Sequence, residues 1–419
     1  MINGRSALGV KIRRTAAAVS VAAALSLAIP AIAYAPAAAA PSRSAPSQTQ
    51  GISRIVRDAM AADHFRAVIV RVTKGDKTII TQAFGTSMTG VPATTDMHFR
   101  NGNVAFAYMG TLLMKFVEQK KARLSDTAGK WMPGLPLSNK VTLKMLANQT
   151  SGYPDYETDP KFVAAFITNP FHKFTYQERY NIAFSRPQLY APGTNWSYAH
   201  TNFMVLGKIL AKIGKKSLNK LIKKEVLDPL GLKNTFASQT AAMKDPVLHS
   251  FSSERREALG IAPATPFYEE ATFWNTAWGT PVGGNQHSDI NDLATTAVAV
   301  GTGKLLSKKS YKAMTRPHLI GFGHADASCA PQCGQQTVAY NYGLGVIRSG
   351  DWILQSPKLS GYSAIEAYLP QKKIAIAVAV TFDQNAFDSQ GNYPQASAQT
   401  LFQSIGAYIA PKYAPPAGR

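Results

Sequence analysis

Cysteine is nearly absent: the 419 residues hold two, Cys329 and Cys333, within "SCAPQCG". So close a pair beside Pro331 and Gly334 reads as one local disulfide closing a loop, the expectation for an oxidising compartment. A metal centre would need more ligands than the nearby His324 and Asp326, so neither metal nor cofactor is expected. Acidic residues are also scarce. Asp and Glu number 24 against 45 Lys and Arg, a formal charge of +21. No aromatic-interleaved basic motif accompanies that charge, which argues against nucleic-acid binding; it reads as a solvated basic face, with anionic envelope polymers or lipid head groups as the electrostatic partners it would suit. No G-x-S-x-G elbow and no H-E-x-x-H occur, which removes two common hydrolase plans.

Long apolar runs are confined to the start. Arg5, Lys11, Arg13 and Arg14 precede "TAAAVSVAAALSLAIPAIAYA", broken by Pro30 and followed by small residues up to Ala40. Residues 1–40 therefore read as an export signal, with the route left open by the imperfect "KIRRT", and no membrane span is expected after its removal. Residues 41–51, "PSRSAPSQTQG", read as a disordered leader. The expected location is the periplasm, the cell wall or the medium of a bacterium.

Secondary-structure signals divide the remainder. "FRAVIVRVTKGDKTIITQAFGTS" carries two β-rich runs around "KGDK" and reads as a hairpin. Helical periodicity follows over Val104–Lys120, Asn202–Ile213, Ser217–Val226 and Ser288–Val300. In "KILAKIGKKSLNKLIKKEVL" the apolar residues form an inner stripe and the lysines face water. Strands return in Asp351–Phe382 around "PQKK", and a last helix runs from about Gln395 to Ile409. Strands at both ends with helices between give an α+β class. The expected domain is 52–410, with sheet parts at about 52–98 and 335–410, a helical part at about 99–334, and a tail over 411–419.

Five segments in order, "TLLMKFVEQKKARLSDTAGKWMPGLP", "VTLKMLANQTSGYPDY", "YAPGTNWSYAHTNFMVLGKIL", "VLDPLGLKNT" and "GGNQHSDINDLA", resemble the serine β-lactamase and penicillin-binding-protein-like hydrolases. That family includes class C β-lactamases, D-alanyl-D-alanine carboxypeptidases and esterases. The resemblance implies an antiparallel sheet built from both termini and flanked by helices, a helical region, and an active site between them.

It also implies three catalytic motifs, and each is altered here. The first, S-x-x-K, sets a lysine beside the serine that it activates, because positions three apart share a helix face. In "FRNGNVAF" the serine position is Asn103 and the lysine position is Phe106; an amide is no nucleophile and a phenyl ring accepts no proton. Removing the nucleophile of a serine hydrolase costs roughly 10⁶ in turnover, about 8 kcal/mol. The second, Y-x-N, reads "YAH": Tyr198 is the retained catalytic position and His200 replaces asparagine. The third, K-T-G or H-x-G, falls on Gln355, Ser356 and Pro357, which lack both cation and glycine. A shifted register would let Lys358 replace the charge. Another S-x-x-K, Ser217 to Lys220, opens a surface helix where serine suits the N-cap. Ser151 and Ser197 lie in loops near the cleft.

Tyr108, Tyr153, Tyr156, Tyr198, Trp196 and Phe106 read either as an aromatic rim for a ligand or as ordinary packing. The leading reading is an exported, catalytically inactive family member that binds a peptidoglycan peptide, a small acyl ligand or a protein partner in the envelope. The alternatives are an active serine hydrolase with a relocated nucleophile, and a structural protein whose cleft has closed around Phe106.

Overall fold

The hairpin at "KGDK" turns at Gly75, whose φ of +56° suits a residue without Cβ. The computed structural model describes residues 47–237, 240–278, 286–316, 319–393 and 397–417. Its strands are β1 (Phe65–Lys74), β2 (Lys77–Met88), β3 (Val91–Pro92), β4 (Phe99–Arg100), β5 (Phe236–Ala237), β6 (Phe251–Ser252) and β7 (Glu269–Glu270). Then come β8 (Gln286–Ser288), β9 (Asn341–Tyr342), β10 (Ile347–Ser349), β11 (Trp352–Gln355), β12 (Lys358–Leu359), β13 (Tyr362–Leu369) and β14 (Ile374–Phe382). The helices are α1 (Gln48–Ala62), α2 (Val104–Glu118), α3 (Leu143–Ala147), α4 (Pro160–Thr168), α5 (Tyr176–Ala183) and α6 (His200–Gly214). After these follow α7 (Leu218–Ile222), α8 (Asp228–Leu230), α9 (Ile290–Thr302), α10 (Lys308–Thr315) and α11 (Ser397–Ile409).

The two chain ends share one sheet. β1 pairs antiparallel with β2 on one side and with β14 on the other. The nine-stranded sheet runs β3-β2-β1-β14-β13-β11-β10-β9, with β12 beside β13. Every residue of β13 and β14 is buried, because helices cover both faces and both faces must therefore be apolar. Trp352 meets Phe402 of α11 edge-on at 5.1 Å. On the opposite face Tyr368 lies against Gly301 of α9.

Three expectations need correction or fall away. The proposed signal, 1–40, and the adjoining residues to 46 lie outside the described residues, as do Gly283 and Gly284. The leader expected over 41–51 overlaps α1, which starts at Gln48. Ser47 Oγ accepts from the Gln50 amide at 3.2 Å while Gln50 Oε1 accepts from the Ser47 amide at 2.9 Å, so an S-x-x-Q capping box nucleates a helix inside a polar stretch. The helix expected over Ser217–Val226 is broken: Ser217 precedes α7 but its side chain makes no capping bond, and Lys223–Leu227 forms a wider π turn before α8.

Helix α2 fixes the site. Twelve of its fifteen residues are buried, so it is a core element rather than a surface helix. It crosses the 343–346 turn so closely that a Cβ at Gly110 would stand 2.1 Å from the Leu344 carbonyl oxygen, and one at Gly345 would stand 2.3 Å from that of Phe106. Gly345 also has φ +81°, a second reason for glycine. Gly345→Ala should cost roughly 2–4 kcal/mol from combined backbone strain and overpacking. A urea midpoint equal to wild type would refute this close approach.

Candidate active site

Position 103 is presented by the start of α2. Gly102, at φ +43°, lets the chain pass Pro357, whose Cβ would stand 2.7 Å from a Cβ at residue 102. Asn103 occupies the N-cap position, yet its side chain makes no capping bond. It reaches across the site instead: Nδ2 lies 2.6 Å from the Tyr198 hydroxyl and 3.3 Å from His200 Nε2. One turn on, Phe106 is fully buried and stacks on Phe203 at 3.7 Å with 8° between the planes. The volume a lysine stem would take is filled by a ring pair.

His200 opens α6 and is gripped by two carboxylates. Its Nδ1 lies 3.0 Å from Asp155 Oδ2 and 3.1 Å from Glu157 Oε2, and its backbone amide donates to Asp155 Oδ1 at 3.1 Å. Asp155 Oδ1 also accepts from the Glu157 amide at 3.2 Å, capping the short turn Tyr156–Thr158. Burial alone would lower the His200 pKa; the Glu157 and Asp155 carboxylates outweigh it and push it up to about 9. Burial, followed by the competing influence of His200, leaves the Glu157 carboxyl raised to about 8. Burial also holds the Tyr198 phenol well above its ordinary value, so it stays protonated.

His200 is thus an imidazolium at neutral pH, with a hydrogen on both nitrogens. An imidazolium has no lone pair to accept from an amide N–H. Turning the Asn103 amide over would let Oδ1 accept from the Tyr198 hydroxyl and from Nε2–H.

The remaining expected positions sort clearly. Gln355, buried on β11, donates from Nε2 to the Gly345 carbonyl at 2.6 Å. The Ser356 hydroxyl meets Gln399 Oε1 at 3.2 Å. Pro357 packs against Gly102, so the 355–357 segment lies beside the start of α2. Lys358 does not supply the missing cation there. Pro357 and Leu359 both face Gly102, and alternation along a strand sends Lys358 to the other side. There its Nζ lies 4.8 Å from the Tyr393 ring centre; burial lowers its pKa, opposed by Glu254.

Of the six aromatic residues, Phe106, Tyr108, Tyr153, Tyr156 and Trp196 are fully buried; they are packing, not a rim, and only Tyr198 is partly exposed. Ser151 is buried, its hydroxyl 2.5 Å from Asn202 Oδ1. Ser197 is buried too and bridges to Cys333 through the backbone. Cys329 and Cys333 form a disulfide, and the Tyr198 amide donates to the Gln332 carbonyl inside that loop at 3.3 Å. Sequence reasoning missed Asp155 and Glu157. Their signal was "PDYETDP", three acids in a segment otherwise matched to the family, but only the fold brings them to a residue 45 positions away.

Comparison with known proteins places the fold. The β-lactamase family model matches residues 52–400. The D-amino acid amidase from Ochrobactrum anthropi SV3, solved with L-phenylalanine amide, superimposes with a TM-score of 0.70 at 18% identity, covering 87% of this chain and 98% of that one. A D-stereospecific amidohydrolase from Streptomyces sp. gives 0.67 at 20% identity, with 87% and 98% covered. Protein flp of Staphylococcus aureus (strain N315) is 23% identical over 242 residues, 55% of this chain and 45% of that protein. Penicillin-binding protein 4 of Amycolatopsis lactamdurans is 27% identical over 197 residues, 45% and 46% of the two chains. The chain thus spans about half the length of these curated relatives.

Both His200 and Glu157 bind protons more tightly in the folded chain than at their ordinary values of 6.5 and 4.5. Their contribution to stability is therefore present at low pH and is lost as pH rises, through about 8 for Glu157 and about 9 for His200. Thermal stability should fall between pH 6.5 and 9, and the His200 imidazole should titrate by NMR near 9. Asp155→Asn should lower that midpoint. A wild-type midpoint at or below the ordinary histidine value would refute the two-carboxylate cluster.

Proposed function

The chain belongs to the β-lactamase family, and we propose that it is a member that binds its ligand without forming an acyl-enzyme. One observation carries this reading: the nucleophile position is an amide, Asn103, engaged with Tyr198 and His200. Acyl transfer needs an atom that attacks the carbonyl and a neighbour that takes its proton. Asn103 offers neither, and Phe106, stacked on Phe203, cannot serve as the neighbour. The protonated Tyr198 phenol is a poor substitute nucleophile, and Ser151 is buried and hydrogen-bonded.

The ligand class we propose is a peptidoglycan-type peptide or a small acyl compound, in the envelope of a bacterium that exports the protein. Support comes from the fold shared with a D-amino acid amidase and a D-stereospecific amidohydrolase, from the export-like residues 1–40 and from the formal charge of +21. A second reading, a hydrolase, draws on one feature. Asp155, His200 and position 103 stand in the order of an orienting carboxylate, a base and a nucleophile.

Two enzymatic expectations follow. Wild type should release product from nitrocefin and p-nitrophenyl acetate no faster than a protein-free control. Asn103→Ser alone should gain slow acylation with Phe106 left in place, rising with pH toward about 9 as His200 gives up its proton. Adding Phe106→Lys should hurt folding, because it buries an ammonium among rings at a cost of several kcal/mol. Wild-type turnover of either substrate would overturn the binding reading.

A further inference from the structure

Helix α2 ends about 20 Å from Asn103 at its rise of about 1.5 Å per residue. Beside that end the surface opens into a cavity of about 660 Å³. Its apolar floor is Val117, Ala122 and Leu124, and Lys120, Arg123 and Lys144 stand around it. No carboxylate lines it. All three cations are exposed, and none makes an ion pair or side-chain hydrogen bond with another described residue. The acids nearest in sequence are Glu118, whose Oε1 accepts the Ser307 amide at 2.8 Å, and Asp126, which pairs with Lys130 at 3.1 Å, accepts the Arg123 backbone N–H at 2.9 Å and feels the Arg123 charge without an ion pair to it.

The backbone holds this arrangement in place. The Lys120 amide closes the end of α2 on the Val117 carbonyl at 3.0 Å. The Lys144 amide donates to the Leu124 carbonyl and the Leu143 amide to the Asp126 carbonyl, both at 3.0 Å. These bonds set the start of α3 against the 124–126 segment and bring Lys144 beside Arg123. The convergence is therefore built into the fold rather than made by flexible side chains alone.

An ordinary solvated basic face carries its charges over polar ground and meets its own acids. Here three unpaired cations surround an apolar floor in a concave volume large enough for a small ligand. A purely anionic ligand would leave the floor wet, and a purely apolar one would leave the cations unanswered. A molecule with both parts satisfies both. We propose that this cavity is a second binding site, separate from the Asn103 site, for an amphiphilic phosphate. Its alkyl chain lies on Val117, Ala122 and Leu124, and its phosphate is held by Lys120, Arg123 and Lys144.

The test is calorimetric titration of the full chain with decyl phosphate below its micellar concentration, with inorganic phosphate and decanol run alongside. Decyl phosphate should bind saturably at one site, weaken as salt is raised, and weaken by about tenfold or more in Arg123→Ser/Lys144→Ser. Both side chains are exposed, so an unchanged melting temperature in the double variant is the control for folding. Inorganic phosphate and decanol should each bind far more weakly. The proposal is overturned if decyl phosphate shows no saturable binding, if the double variant binds it as tightly as wild type, or if inorganic phosphate alone binds equally well. It is also overturned if the protein sediments with phosphatidylglycerol vesicles while ignoring free decyl phosphate, since the surface would then read a membrane rather than a single molecule.

Discussion

Everything around the site depends on the burial of α2. A helix covered on nearly every side cannot rotate or slide without opening the core, and two close backbone approaches, at Gly110 and Gly345, pin it further. Its first turn is held as firmly, with Gly102 pressed against Pro357. Whatever residue stands at 103 is therefore delivered to Tyr198 and His200 whether or not it can react. The scaffold presents a position, and the chemistry is decided by the side chain placed there.

Two side chains beside position 103 form one physical pattern. Phe106 fills its side of α2 with a ring stacked on Phe203, and His200 brings a cation in from the start of α6. The incoming charge is mostly buried, which is costly unless it is paired and hydrogen-bonded. Asp155 and Glu157 supply the pairing, and Asp155 also binds the His200 backbone amide. Burial raises the Glu157 pKa and the His200 charge opposes it, so the protons of the two side chains are linked. The proton-bearing group of the site is a histidine facing an amide.

Much of this was legible in the residues. The hairpin at "KGDK", the β13–β14 pair around "PQKK" and the Cys329–Cys333 disulfide all follow from local pattern. What escaped reading was of three kinds. Residues 47–51 look like polar linker, and only the reciprocal Ser47–Gln50 bonds make them helix. The side on which Lys358 falls depends on strand register, which a loop of uncertain length hides. Asp155 and Glu157 belong to the site through a contact across more than forty positions, beyond the reach of periodicity. The aromatic residues show the converse: composition alone offered a binding rim, whereas packing places five of the six in the core.

The central claim is that position 103 cannot carry an acyl group and that no other side chain has taken over. The most direct measurement is the intact mass of the purified protein after prolonged incubation with excess benzylpenicillin, read against an untreated sample. The account predicts an unchanged mass. A mass increase equal to one penicilloyl group, mapped by peptide digestion to a serine or to Tyr198, would contradict it.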